Sequence, residues 1–309
     1  MRMVTQRDHG GPEVLELVEV ERPEPGPTEV LVRVHAAGVN PVDWKSRAQQ
    51  VFMDGPPYTV GWDVSGVVES TGFGASSLRA GDEVFGMPWF PREARAYGEY
   101  VTAPSRHFAR KPAELSHEEA AGLPLAGLTA WQALVDVAQV RQGQRVLIDA
   151  AAGGVGHLAV QIAKSRGAHV IGTARAAKHE FLTSLGADET VDYTAVDVGE
   201  SVRDVDVALG LVGPDNDLRL LRTLREGGLL IAIPGGVAEP VAEAADRLGV
   251  LTRDLLVEPD QLGLRELAGL AAAGGLRVHV SRTFPLAEAS RAHELGESGR
   301  TIGKIVLVP

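Results

Sequence analysis

The stretch DAAAGGVGHLAVQIAKSRGAHVIGTARAAK, residues 149–178, decides how this chain folds. Gly153, Gly154 and Gly156 stand between an apolar run, RVLIDA (145–150), and a segment with apolar residues at helical spacing, GHLAVQIAKSRG (156–167). A second apolar run, HVIGTA (169–174), follows. Strand, glycine turn, helix and strand in that order predict two parallel strands joined by a crossover helix. Ala159 takes the place of a third small residue. Glycines at such a turn keep it tight and let backbone N–H groups approach a pyrophosphate, whose charge also meets the positive end of the helix dipole. An acid that would accept from a ribose hydroxyl is expected about twenty residues after the first glycine. Ala174 stands there instead, followed by Arg175 and Lys178. A carboxylate would repel a 2'-phosphate, whereas a small residue flanked by two cations attracts one. Solvated charges at a helix start would look the same. The stretch therefore predicts a dinucleotide, NADPH rather than NADH. Gly153, Gly154, Val155 and Gly156 would lie under its pyrophosphate, with Thr173, Arg175 and Lys178 at its ribose.

The same alternation continues outward. KHEFLTSLGA (178–187) reads as a second helix, and VDVALGLVG (205–213) and GGLLIAIPG (227–235) as strands around the helix DLRLLRTLRE (217–226). Continuous apolar strands between helices predict a doubly wound parallel sheet covered on both faces. Tyr193, in VDYT, ends the third strand near where an adenosine would sit, a position equally suited to packing. The first third has another texture. VLELVEV (14–20), EVLVRVHAAGV (29–39) and VSGVVEST (64–71) are short Val-rich strands, and Pro23, Pro25 and Pro27 forbid helix between the first two. Ser116 with Glu119 forms a capping box at the head of SHEEAAGLPLAGLTAWQALVDVA (116–138). The tail returns to strands, RVHVSRTFPL (277–286) and GKIVLVP (303–309), around the helix AEASRAHELGES (287–298). The expected fold class is α/β: an irregular β-barrel from residues 1–116 and 259–309, with a dinucleotide-binding domain, 117–258, inserted.

Composition narrows the function. A formal net charge of -11 argues against a nucleic-acid surface, which needs clustered Lys and Arg. The chain has no cysteine, so it has neither disulfides nor thiolate metal sites. Its start lacks a signal-like apolar core, and its longest apolar run, near Leu229–Ile233, is far short of the roughly 20 residues that span a bilayer. A cytoplasmic protein without membrane contact is expected.

The motifs AAGVNPVDWKSR (36–47), GWDVSGVV (61–68), GDEVFG (81–86), LPLAGLTAWQAL (123–134), GQRVLIDAAAGGVGHLAVQIAK (143–164), GAD (186–188) and GKIVLVP together resemble the medium-chain dehydrogenase/reductase superfamily. Within it they are most similar to the zinc-free quinone oxidoreductase, zeta-crystallin-like branch. The resemblance implies a GroES-like barrel, and a homodimer built through sheet edges, for which GVLTRDLLVEP (249–259) supplies a Leu-rich segment. At the positions where zinc-dependent relatives carry metal ligands this chain has Asn40, Trp62 and Leu125, and no pair of its nine His has the short helical spacing of a zinc site. No metal is expected. Without a Lewis acid, alcohol oxidation is disfavoured, and an electrophilic acceptor remains: a small planar conjugated substrate, quinone or enone. The resemblance places Asn40, Thr129, Ile233, Gly235, Gly303 and Lys304 along the cofactor, with Asn40 near the nicotinamide.

For catalysis the candidates are Asn40, Tyr58 and Lys45. Tyr58 is a possible proton donor that packing would equally explain, and Asp43 with Lys45 is a possible structural ion pair. Trp62 is expected to fill a metal-sized space and wall a planar substrate, while Trp89 and Phe90 suit either a lid or an anchor. Two departures fall on the substrate side: Gly210 where relatives often carry Asp, and Val60 where SRAQQVFMDGPPYTV (46–60) lacks the usual final Pro. Three functions stay open: a quinone reductase, an enone or enoyl double-bond reductase, and a nucleotide-binding protein without turnover.

Overall fold

The computed structural model describes residues 1–53 and 55–309; Asp54 lies outside them. The chain forms two compact units, Met1–Leu128 with Glu258–Pro309, and Thr129–Val257. Residues 117–128 therefore belong to the first unit and not to the nucleotide-binding domain. The capping box at Ser116 forms as expected, and its short helix His117–Ala121 packs on the strands Glu29–Val39 and Asp63–Thr71.

The first unit is a GroES-like barrel whose spine is Glu29–Val39. Asp63–Thr71 runs antiparallel along one edge. Tyr100–Pro104 covers the N-terminal half of the other edge and Lys304–Val308 the C-terminal half. Register shifts at Leu31/Val32 and Val34/Ala36 let this long strand bend and serve both partners. The chain's last strand is thus laid beside Val39, next to Asn40. Gly38 makes the crossing possible: a Cβ there would sit 2.3 Å from the Ala121 carbonyl oxygen and 2.9 Å from Asp63 Cβ.

The second unit is a six-stranded parallel sheet. Its order is Glu189–Val191, His169–Thr173, Arg145–Ile148, Val205–Gly210, Leu224–Ala232, Leu251–Asp254. In chain order this is 3-2-1-4-5-6, with the order reversing between Arg145–Ile148 and Val205–Gly210. In such sheets ligands bind outside the carboxyl ends of the strands at that reversal. The glycine turn leads from the first of these two strands into the helix Gly154–Ser165. Gly156 is required for packing: a Cβ would lie 2.5 Å from the Ala150 carbonyl and 2.7 Å from Ala151 Cα. The core is aliphatic, with Leu147, Ile171, Ala208 and Leu230 from the strands against Leu220, Val241 and Ala245 from the helices. Among the described residues no helix is long and apolar enough to cross a membrane.

Several helices had no clear signature in the sequence. Pro41–Ala48 does carry start signals, Asn40 as N-cap with Pro41 and Asp43 after it, but Asn40 before proline reads equally well as a turn. Glu239–Leu248 and Gln261–Ala272 lie in Ala- and Gly-rich segments of weak periodicity, and Gln132–Val137 winds as a π-helix.

Candidate active site

In the second unit the nucleotide-binding features converge on the carboxyl end of the sheet. Gly153 caps the helix Gly154–Ser165 in extended conformation and offers its first-turn N–H groups no side-chain acceptor. An anion fits that end of the helix dipole. The turn is held from below. Asp149 accepts from the Thr173 hydroxyl at 2.8 Å and from Asn216 Nδ2 at 2.6 Å, and the Thr173 hydroxyl accepts from the Ala150 N–H at 3.1 Å. Thr173 is fully buried, so its side chain shapes the glycine turn from within.

One residue further on, the exposed Arg175 donates from Nε to the Tyr193 hydroxyl at 3.3 Å. Burial, then the neighbouring Arg175 charge, lowers the pKa of Lys178. Two cations and a phenol stand together at the end of the second strand, where a third phosphate would be neutralised. An acid lies close by: Asp192 accepts from the Ala176 N–H at 3.1 Å. Ile233 is half-buried and Gly235 exposed just past Leu224–Ala232, with the Ile233 N–H donating to the Gly210 carbonyl at 3.1 Å. Thr129 is buried in the helix Pro124–Trp131. A Cβ on Gly210 would meet Asp217 Oδ1 at 2.2 Å, so the carboxyl of Asp217 fills the space beside that glycine. Burial and the Asp149 charge push the Asp217 pKa up to about 6.

In the first unit a buried polar cluster surrounds Asn40. Its Oδ1 accepts from the Lys304 ammonium, and its Nδ2 donates to Asp63 Oδ2 at 2.9 Å. Lys304 also donates to the Val39 carbonyl at 3.0 Å and lies 3.6 Å from Asp63, whose Oδ1 accepts the Leu125 N–H at 2.7 Å. Gly303, with φ 65°, turns the chain into the last strand and so aims Lys304 inward. The ammonium is committed to these oxygens rather than left open for a ligand. Asp43 accepts the Asn40 N–H at 2.7 Å and the Tyr97 hydroxyl at 2.8 Å. Tyr97 meets His293 Nε2 at 3.1 Å, His293 Nδ1 meets Arg47 Nη1 at 3.2 Å, and Arg47 pairs with Glu297 at 2.7 Å.

Other expectations change on this map. Asp43 and Lys45 do not pair, because residues two apart point to different sides of a helix: Asp43 is buried and Lys45 exposed. The Tyr58 hydroxyl donates to the Ser46 carbonyl at 2.5 Å beside His9, and burial raises its pKa. Trp62 is fully buried, donates to the Arg92 carbonyl at 2.6 Å and packs edge-on against Phe90, so it fills space without presenting a wall. Trp89 is an anchor, its Nε1 donating to the Thr102 carbonyl at 2.8 Å. The sequence singled out none of Asp63, Tyr97, Arg47 or His293 for a site; only the acid following Trp62 in GWD was a signal.

Burial, then the Arg47 charge, pulls the His293 pKa down to about 3. An unfolded chain binds a proton there below pH about 6.5 and the folded chain refuses it, so stability is lost as pH falls from that value towards 3. We expect this residue to remove on the order of 2 kcal/mol between pH 7 and 5. Urea unfolding of wild type and His293→Gln at both pH values checks it. The acid-induced loss should be smaller in the variant by about that amount, and equal losses would refute the assignment.

The chain matches two family models, "Alcohol dehydrogenase GroES-like domain" over residues 26–113 and "Zinc-binding dehydrogenase" over residues 185–307. Among the described residues, however, no group of three or more His, Asp or Glu side chains is disposed to hold a metal ion. A 2-haloacrylate reductase from Burkholderia sp is 36% identical, covering 97% of this chain and 96% of that protein. The solved structure of the quinone oxidoreductase from Coxiella burnetii superposes with a TM-score of 0.95 at 38% identity, over 100% of this chain and 99% of that one. The Escherichia coli quinone oxidoreductase complexed with NADPH gives 0.92 at 30% identity, over all of both chains. The barrel, the 3-2-1-4-5-6 sheet with its glycine turn and these likenesses lead to one conclusion: the chain is an oxidoreductase that belongs to the quinone oxidoreductase branch of the medium-chain dehydrogenase/reductase superfamily.

Proposed function

We propose that this protein is a cytoplasmic, NADPH-dependent, metal-independent reductase of quinones. The observation that carries the cofactor choice is the Arg175–Lys178–Tyr193 cluster at the end of the second strand, where an acid would select NADH. Within the second unit Gly153–Gly156 hold the pyrophosphate, and Ile233, Gly235 and Thr129 border the rest of the cofactor. When bound, NADPH supplies the hydride. What the chain's own residues add is position and donors. Asn40 has committed its oxygen to Lys304 and one Nδ2 hydrogen to Asp63, so one amide hydrogen remains for an acceptor oxygen on which charge collects. Neither Tyr58 nor Lys45 suits the proton transfer, the first because its hydroxyl is engaged and the second because it is solvated; solvent supplies the proton.

A second reading is favoured by the relative named a 2-haloacrylate reductase: reduction of a carbon–carbon double bond conjugated to a carbonyl. NADPH oxidation measured against a panel of quinones and enones separates the two. Quinones alone support the first reading and enones alone the second. Tight NADPH binding with no turnover on either would leave a nucleotide-binding protein without catalysis.

Metal independence follows from Asn40, Trp62 and Leu125 at the ligand positions. Dialysis against a chelator should leave the rate unchanged, and elemental analysis should find no stoichiometric zinc; one zinc per chain would overturn this. We also propose a homodimer through the strand Leu251–Asp254, which ends the sheet with one edge unpaired and with Leu251 and Leu256 exposed. Light scattering at micromolar concentration should give twice the 32.7 kDa chain mass, and a monomer would count against it.

A further inference from the structure

The chain of groups from Glu297 to Asp43 has a fixed direction. A guanidinium has only donors, so Arg47 Nη1 forces a lone pair on His293 Nδ1. Neutral His293 must then carry its hydrogen on Nε2 and donate to the Tyr97 oxygen, which leaves the Tyr97 hydrogen for Asp43 Oδ2. The same Oδ2 accepts the Asn40 N–H. Every donor therefore points at one oxygen of Asp43. The other, Oδ1, is buried and has no partner among the described residues. A proton on this carboxyl can sit only on Oδ1, since Oδ2 is filled by donors.

We propose that Asp43 is a titrating positioning residue: its ionised form grips the Asn40 turn through Oδ2, and uptake of one proton at Oδ1 loosens that grip. This rests on the reading that Asn40 serves the reduced acceptor. The surroundings of Asp43 are balanced enough for such a change. The Asn40 N–H, the Tyr97 hydroxyl and Lys304 from the last strand favour the charge, while Asp63 from the neighbouring strand opposes it; behind Tyr97, His293 is neutral and Arg47 is paired with Glu297. Burial outweighs the hydrogen bonds and puts the carboxyl pKa at about 7. Hydrogen bonds to an ionised acceptor are roughly twice as strong as neutral ones, so the turn is held more firmly above that pH. The proton exchanges with solvent, and no other bond is made or broken.

Two measurements on the full chain test this. Infrared spectroscopy should find a protonated-carboxyl band that is lost as pH rises through neutrality and is absent from Asp43→Asn. The rate of acceptor reduction at saturating NADPH should rise over the same interval. Asp43→Asn, a permanently neutral carboxyl mimic, should run about tenfold slower without that rise, its affinity for NADPH unchanged. Tyr97→Phe removes a donor to the charged form, so both midpoints should move up by about one pH unit, which a merely structural role would not produce. That variant also keeps the test decisive if Asp43→Asn does not fold. No titrating band, or an unchanged midpoint in Tyr97→Phe, overturns the proposal, as does a rate that still rises with pH in Asp43→Asn. A band that titrates as expected in a protein that reduces no acceptor supports the titrating carboxyl and refutes the reductase reading instead.

Discussion

Replacing Arg175 by Ala should raise the Michaelis constant for NADPH by about tenfold to a hundredfold, with a much smaller change for NADH. A 2'-phosphate would take charge-assisted hydrogen bonds from Arg175 and Lys178, each worth roughly 1.5–3 kcal/mol. NADH carries a hydroxyl there and needs no cation. The Arg175 guanidinium is exposed and donates to the Tyr193 hydroxyl at 3.3 Å, so its removal should leave the fold alone. Steady-state kinetics with both cofactors give the answer. Equal weakening of both would make Arg175 a surface charge. A wild-type preference for NADH would turn attention to Asp192, which already bonds the Ala176 N–H and could accept from a ribose hydroxyl.

The second large effect lies in the barrel. Lys304→Met should destabilise the protein by about 3–5 kcal/mol, because it leaves Asp63 buried without its cation. Burial already drives the Asp63 pKa up against the pull of Lys304. The double variant Lys304→Met with Asp63→Asn should recover most of the loss. With the ammonium gone, the Asn40 amide is free to flip and present its oxygen to the new amide, while the Leu125 N–H keeps its acceptor. Urea unfolding of the three proteins tests the pair as a unit. If Lys304 served chiefly to line the cofactor, the single variant would keep its stability and lose only NADPH affinity.

The two groups of candidate residues, one in each unit, were unequally legible. The nucleotide side could be read because glycine turn, strand, helix and the Arg175–Lys178 doublet lie within one continuous stretch, where spacing alone fixes neighbours. Tyr193 was half visible: its strand and Arg175 were each read from the sequence, but not the contact between Tyr193 and Arg175. On the barrel side the marked residues Tyr58, Lys45 and Trp62 are typical of active sites in kind but proved to be engaged, solvated and buried, respectively. Position in a motif does not say where a side chain points once a helix such as Pro41–Ala48 forms.

Local physics, then, was enough for the strand, glycine turn, helix and strand of residues 145–174 and for the family to which these motifs belong, because each depends on residues a few positions apart. Only the folded chain could decide that Lys304 anchors Asn40 across 264 residues and that Tyr97 joins Asp43 to His293 across 54 and 196. A buried polar group is stable only beside a partner of the right donor or acceptor character, and those partners arrive from strands and helices that meet in space alone.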